Sequence, residues 1–455
     1  MLILTPLLNR VNQIIWGNWL LFVLLGIGLW YTVLSGFVQI RHFPYIIRKT
    51  LLEPWKTKRH ASSDSNSISS FQALCTAVAS CVGSGNIVGV STAVLAGGLG
   101  AIFWMWVAAF VGMATKYGEI ILGLLYRVKN EDGTYSGGPM YYIRDGLHAP
   151  VLASLCAFFM VIQIIGGNFI QSNTISSVMK NHLHIPEGIT GVILVILIFT
   201  ISAGGLKRLA RITQKLVPAM ALLYVVSGLV IILLHITSLP DVILNIVTGA
   251  FGLRPVLAGT AGSMIIAMQK GIARGLYSNE AGEGSAPVIH SAANVQHPVE
   301  QGITGVTEVF LDTFVICTIS GLVLGVTGVL DSGLPGSILM IHAFSTVWDP
   351  LKYLVIISLL LFCTTTLMSQ WYFGFVGLNY LFGHRIAEKF RYFFPLFCMI
   401  GSITAIDIVW TIQDIALGLL TIPNLIALIL LSPQVKKCSD EFWNRHISSS
   451  HKRGR

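Results

Sequence analysis

Residues 71–100, FQALCTAVASCVGSGNIVGVSTAVLAGGLG, are long and apolar enough to cross a bilayer, yet the middle reads Val82-Gly83-Ser84-Gly85-Asn86. About 20 apolar residues at roughly 1.5 Å each span a hydrocarbon core of about 30 Å. Two glycines around a serine, followed by an asparagine, remove helix propensity where an unpaired backbone group is most costly. Such a break persists only against other protein or a wet cavity. There it offers a half-helix N-terminus and N–H groups to an anionic group, and carbonyls to a cation. A small-residue helix contact of the GxxxG kind is the plainer use of the same glycines. A nucleotide-binding loop fits poorly, because the spacing is G-x-G-x-x-x-G and no strand precedes it.

The surrounding chain is of the same character. With 54% hydrophobic and 11% charged residues over 455 positions, it lies far from a soluble globule, in which about a quarter of residues are charged. Apolar runs predict eleven spans, at 14–40, 71–99, 101–125, 151–178, 187–204, 216–236, 256–274, 303–326, 351–377, 393–411 and 413–432. If the first span runs inward, 24 of the 29 Lys and Arg residues fall in the inside segments 41–60, 126–149, 205–215, 270–300, 378–392 and 433–455. That asymmetry predicts an outside N-terminus and a cytoplasmic C-terminus in a plasma membrane, the inner membrane in a Gram-negative cell. The net charge of +9 therefore reads as membrane orientation, with no nucleic-acid partner. The basic run 41–60 and tail 433–455 read as anchors to anionic lipid, and 61–70 as a Ser-rich linker. The seven cysteines have no CxxC or zinc-type spacing and read as packing residues.

Eleven spans divide into one leading helix (1–60), a first set of five (61–236) and a second set of five (237–432), followed by the tail 433–455. The second and seventh spans then enter from opposite sides, as an inverted repeat requires. Both are glycine-interrupted; the seventh carries Gly259, Gly262 and Gly271.

Several polar groups lie inside these spans. Asn168 and Gln171 share a face at i, i+3 beside Gln163 and Asn173, suited either to a zwitterionic substrate or to interhelical hydrogen bonds. Thr364-Thr365-Thr366 offers hydroxyl oxygens to a hard alkali cation or to its own helix. The segment from Gly271 to Pro287 contains Asn279, Glu280 and Glu283 and reads as a re-entrant turn or gate at the inner mouth. Glu308, Asp312 and Asp407 are acids within spans, and Glu119 is placed to pair with Lys116 at i, i+3. The sequence has no Ser-His-Asp grouping, metal-spaced His/Cys set or P-loop, so it predicts a transporter driven by an ion gradient rather than an enzyme.

The runs GSGNIVGVSTAVLAGGLGAIFWMWVAAFVGMATKYGEI (83–120), DGTYSGGPMYYI (132–143), GGNFIQSN (166–173), GIARGLYSNEAGEGSAPVIHSA (271–292) and HPVEQG (297–302) resemble the alanine/glycine:cation symporter family. The resemblance implies sodium-coupled uptake of a small neutral amino acid by alternating access, without a cofactor. It also implies an all-α, leucine-transporter-type fold of two inverted five-helix repeats with broken helices, preceded by one extra span. Carried over by position, the substrate site falls on Gly83, Ser84, Gly85, Asn86, Asn168, Gln171, Thr366 and Gln370. Sodium falls on Thr365 and the Val82 carbonyl. Among the departures from the family pattern, Gln370 replaces a pocket tryptophan, Phe375 a glutamate and Glu283 a leucine. Loss of the indole enlarges the pocket and implies a shift toward a polar amino acid such as serine or glutamine. Proton coupling through Glu280, Glu283, Glu308 or Asp312 is one rival reading, and an amino-acid sensor or channel is another.

Overall fold

The computed structural model describes residues 4–56, 67–130, 133–252, 264–404 and 406–453. Linker residues 61–66, residues 256–263 of the seventh expected span and the Asp407 side chain lie outside the described residues. The N-terminal helices α1 (Leu4–Ile15) and α2 (Asn18–Leu34) meet at Gly17. Helix α3 (Ser70–Cys81) opens on a capping box: Gln72 N donates to Ser69 Oγ at 3.2 Å and Ser69 N donates to Gln72 Oε1 at 3.0 Å. It ends where Val82 turns extended. A π-helical turn, Gly85–Gly89, then leads into α4 (Val90–Gly97), and the two halves are bent by 50°. The glycines thus break the span at the expected place.

Helix α5 (Gly100–Leu125) runs to a short hairpin, Val128–Lys129 with Tyr135–Ser136, and α6 (Pro139–Gly146). After these come α7 (Pro150–Leu183), α8 (Glu187–Ser202), α9 (Gly205–Leu234) and α10 (Leu239–Ala250). Helix α11 (Met264–Asn279) continues past residue 274, where the seventh span was expected to end. The backbone then unwinds over 280–285, with Glu280 at φ +55° and Gly282 and Gly284 both at φ +91°, before α12 (Ala286–His290) resumes. A positive φ costs glycine nothing. This stretch is buried, so the expected inner-mouth loop is a second broken helix inside the bundle.

Helix α13 (Pro298–Val309) passes through π-helical turns at Phe310–Cys317 into α14 (Thr318–Thr327). Then follow α15 (Gly336–Val347), α16 (Lys352–Phe382), α17 (His384–Phe393), α18 (Leu396–Ile403) and α19 (Ile406–Arg453). Among the described residues, seven helical stretches are long and apolar enough to cross a membrane singly, and the bent pair α3–α4 makes an eighth. The expected spans at 187–204 and 393–411 fall on shorter helices: α8 has 16 residues, and α18 has only 8 before Thr404 turns extended. The basic tail continues α19 as helix.

Close packing rests on small residues, as expected where lipid removes the hydrophobic drive between helices. Gly302 and Gly305 of α13 face Ile121, Tyr117 and Ile120 of α5, and Gly97 of α4 abuts Ala267 of α11. Tyr31 of α2 donates to the Leu428 carbonyl at 2.8 Å, and Trp16 donates to the Asp414 carbonyl at 2.8 Å, fixing the N-terminal helices to α19. A Cβ on Gly302 would lie 2.9 Å from Ile121 Cγ1 and 3.1 Å from Tyr117 Cδ2. Gly302→Leu is therefore expected to destabilise the protein by about 1–3 kcal/mol, the usual range for overpacking. Thermal unfolding of the purified variant in detergent checks this, and a melting temperature equal to wild type refutes the contact.

Candidate functional site

The two breaks face each other in the middle of the bundle. The first is held by side chains from three other helical stretches. Gly83 N donates to Asn86 Oδ1 at 2.9 Å and Ser84 N donates to Gln171 Oε1 of α7 at 3.2 Å. Asn86 Nδ2 donates to Asp312 Oδ1 at 2.6 Å, and Ser320 Oγ donates to the Asn86 carbonyl at 2.6 Å. Thr366 Oγ1 of α16 donates to the Val82 carbonyl at 3.3 Å. A Cβ on Gly83 would stand 2.7 Å from Thr366 Oγ1 and 2.9 Å from Gln171 Nε2, so only glycine admits both.

The second break is fixed from below by two buried carboxylates. Gly282 N donates to Glu119 Oε2 at 3.1 Å, while Asn424 Nδ2 donates to Glu119 Oε1 at 2.5 Å and to the Gly282 carbonyl at 2.9 Å. Tyr142 donates to Asn424. Lys116 Nζ donates to the Asn279 carbonyl at 2.6 Å and pairs with Glu308 Oε1 at 2.6 Å, and His290 Nε2 lies 3.1 Å from Glu308 Oε2. The i, i+3 pairing of Lys116 with Glu119 is thus corrected: each reaches a different helix. Asp312 joins the breaks, accepting from Asn86 and from Ser278 Oγ at 3.0 Å, with Thr313 Oγ1 donating to its other oxygen at 2.9 Å.

Between the breaks lies a small polar cavity of about 20 Å³, room for one water molecule. Ser80, Cys81 and Gly85 line it from the first break, Glu280 and Glu283 from the second, and Gln163, Gln171, Thr366, Gln370 and Gln413 from the neighbouring helices. Gln163 Oε1, Gln370 Oε1, Gln413 Oε1 and Glu283 Oε1 are buried there without a hydrogen-bond partner in the protein, as is Ser84 Oγ nearby. Each such atom costs roughly 1–3 kcal/mol, which a ligand supplying the missing partner recovers. Tyr277 and Leu417 close the cavity on the side of the N-terminal helices.

Of the expected site residues, Val82, Gly83, Ser84, Gly85, Asn86, Gln171, Thr366 and Gln370 come together here. Asn168 does not: Asn168 Nδ2 donates to Cys398 Sγ of α18 at 3.3 Å. At 3.6 residues per turn, Gly167 and Gln163 lie about 40° and 80° from Gln171 on one side, and Asn168 about 60° away on the other. The wetter face is 163/167/171, with Gly167 making room for Gln370. Thr365 also turns away. Its hydroxyl donates to Phe362 and Leu361 carbonyls of its own helix, at 2.9 Å and 3.0 Å, and lies 3.4 Å from Met220 Sδ. Asn279, Glu280 and Glu283, expected at the inner mouth, belong to the second break. Phe375 packs on Trp371, Tyr372 and His384, away from the cavity. The seven cysteines are free and buried.

The sodium:alanine symporter family model matches residues 1–453. A sodium/alanine symporter of Methanococcus maripaludis, AgcS, is 38% identical over 435 residues, 94% of this chain and 94% of the relative. A probable sodium/glutamine symporter of Bacillus subtilis, GlnT, is 34% identical over 437 residues, 95% of this chain and 89% of the relative. In three dimensions the chain resembles MhsT, crystallised in complex with L-phenylalanine, with a TM-score of 0.55 at 15% identity over 80% of this chain and 89% of the other. That likeness establishes the leucine-transporter-type fold.

Breaking the Lys116–Glu308 pair leaves an uncompensated charge in the bundle, so Lys116→Met is expected to cost about 3–5 kcal/mol. The double variant Lys116→Met/Glu308→Leu is expected to regain at least half of that loss. Melting temperatures of the purified single and double variants check both statements, and additive losses refute the pairing.

Proposed function

Because the chain belongs to the sodium:alanine symporter family, we propose that its two facing helix breaks bind one small neutral amino acid with sodium and deliver it inward by alternating access. The observation that carries this reading is the buried polar cavity between the breaks, walled by glycine on one side and by unpaired amide and carboxylate oxygens on the other. The substrate carboxylate takes the N–H groups of Gly83, Ser84 and Gly85 at the N-terminal end of the half-helix, where the dipole favours an anion. Asn86 Oδ1 and Gln171 Oε1 hold two of those N–H groups in the structure; a carboxylate oxygen replaces them. The unpaired Glu283 Oε1 is the acceptor available to the substrate ammonium.

The Val82 carbonyl and Thr366 hydroxyl, 3.3 Å apart, supply adjoining hard oxygen donors for sodium. Thr366 therefore replaces Thr365 as the hydroxyl ligand in this reading. Residues 61–236 and 237–432 act as the two halves that move against each other, the broken α3–α4 and α11–α12 being their counterparts. The N-terminus lies outside the plasma membrane and the C-terminus inside. Lys270 and Arg274 line a vestibule with Asn12 and Asn18, and with the N-terminus outside this reading puts them on the outer side.

A second substrate reading has its own support. Gln163, Gln370 and Gln413 turn three amides into the cavity, a wall suited to a polar side chain such as that of glutamine or serine. Among the acids considered for proton coupling, Glu308 is ion-paired and Asp312 accepts three hydrogen bonds; neither faces the cavity.

Uptake of radiolabelled alanine into proteoliposomes tests the reading. An inward sodium gradient is expected to drive accumulation and a proton gradient alone is not; the reverse result overturns sodium coupling. Gly83→Val is expected to abolish uptake while the protein still folds, as judged by its melting temperature. Gln370→Trp is expected to weaken competition by glutamine relative to alanine by about tenfold, or about 1.4 kcal/mol. An unchanged ranking removes Gln370 from the selectivity wall.

A further inference from the structure

Above the buried cavity, on the side of the N-terminal helices, lies a wider vestibule of about 460 Å³ lined by α1, α2, α11 and α19. Its size is that of a small-molecule pocket. Tyr277 and Leu417 form its floor and are also the roof of the cavity below. Charge of both signs faces across it, with Lys270 and Arg274 at i, i+4 on α11 and Asp414 on α19. Arg274 is held by rings: its guanidinium carbon lies 5.2 Å from the Trp410 ring centre and 5.8 Å from that of Tyr277. Those rings lean on each other with centroids 5.6 Å apart.

We propose that this vestibule is a second binding site, taking a zwitterionic amino acid before it passes Tyr277; the proposal rests on the transport reading above. A guanidinium stacked on aromatic faces keeps its in-plane N–H groups for a carboxylate. Asp414, across the vestibule, is the matching partner for an ammonium. An anion satisfies only the first group and a cation only the second, whereas an amino acid satisfies both. The cation that takes the carboxylate is the one stacked on Tyr277, so occupancy of the vestibule acts directly on the side chain that closes the inner cavity.

The test places a thiol in the vestibule by Gln13→Cys in the otherwise full-length protein. The native cysteines are buried, so a charged methanethiosulfonate reagent reads the new one. Labelling is followed in sodium-free buffer with alanine, alaninol or propionate present. Alanine at twice its Kd is expected to slow labelling by about threefold, since protection follows 1 + [L]/Kd. Alaninol and propionate, each lacking one of the two charges, are expected to leave the rate unchanged. Protection is expected to survive in Gly83→Val, which disables the inner site, and to disappear in Arg274→Gln and Asp414→Asn. Equal rates with and without alanine overturn the proposal. Protection by propionate overturns it in favour of a simple anion site, and protection lost in Gly83→Val assigns the effect to the inner cavity. Gln269→Cys, also in the vestibule lining, is the reporter if Gln13→Cys fails to fold. Sodium-driven uptake by the same preparation separates the two readings. Uptake without protection removes only the vestibule site, and protection without uptake removes the transport reading.

Discussion

A peptide group cannot be left unpaired in hydrocarbon, and this chain interrupts two of its helices at that depth. Much of its buried polarity follows from that constraint. Asn86, Gln171 and Ser320 close the first break, while Glu119, Asn424 and Lys116 close the second. The buried charges are part of the same account. Lys116 caps the end of α11 by bonding the Asn279 carbonyl, and Glu308 neutralises it. Asp312 is shared by both breaks and so links one to the other. Side chains that would be costly in an ordinary span are tolerated because each supplies what an unwound backbone lacks.

The first break was legible in the sequence because its signal is local: Gly83-Ser84-Gly85-Asn86 cannot continue a helix wherever it is placed. The second carries the same kind of signal, yet ending the seventh span at 274 and counting 270–300 as an inside segment put it at the membrane surface. Only the packing of α5 and α19 against it, with a carboxylate waiting for Gly282 N, explains why such a polar stretch is buried. Pairings failed for a related reason. Lys116 and Glu119 are neighbours along one helix, but each has a stronger claim on a backbone group elsewhere. Between Thr365 and Thr366, one residue of helical rotation decides which hydroxyl meets Val82, and sequence does not fix that phase. The shift from Asn168 to Gln163 and Gly167 is the same phase problem, and four-residue spacing was the clue to it.

Glycine and glutamine divide the work of the cavity. Gly83, Gly85 and Gly167 let backbone and amides approach closely, which sets its shape, whereas Gln163, Gln370 and Gln413 set its chemistry. At about 20 Å³ the cavity is closed down on its own side chains. Gln171 Oε1 takes the Ser84 N–H there, while Gln163, Gln370 and Gln413 keep unpaired Oε1 atoms in the wall.

The contacts of Trp16 with Asp414 and of Tyr31 with Leu428 join elements almost 400 positions apart in the chain. A ribosome delivers the first of these helices to the membrane long before the last is made. Until that last helix is made, the N-terminal helices and the second break lack Asn424, Asp414 and Leu428. The nascent chain is consequently exposed to premature pairing and to quality control until α19 arrives, and the final helix acts as the clasp that commits the assembled bundle.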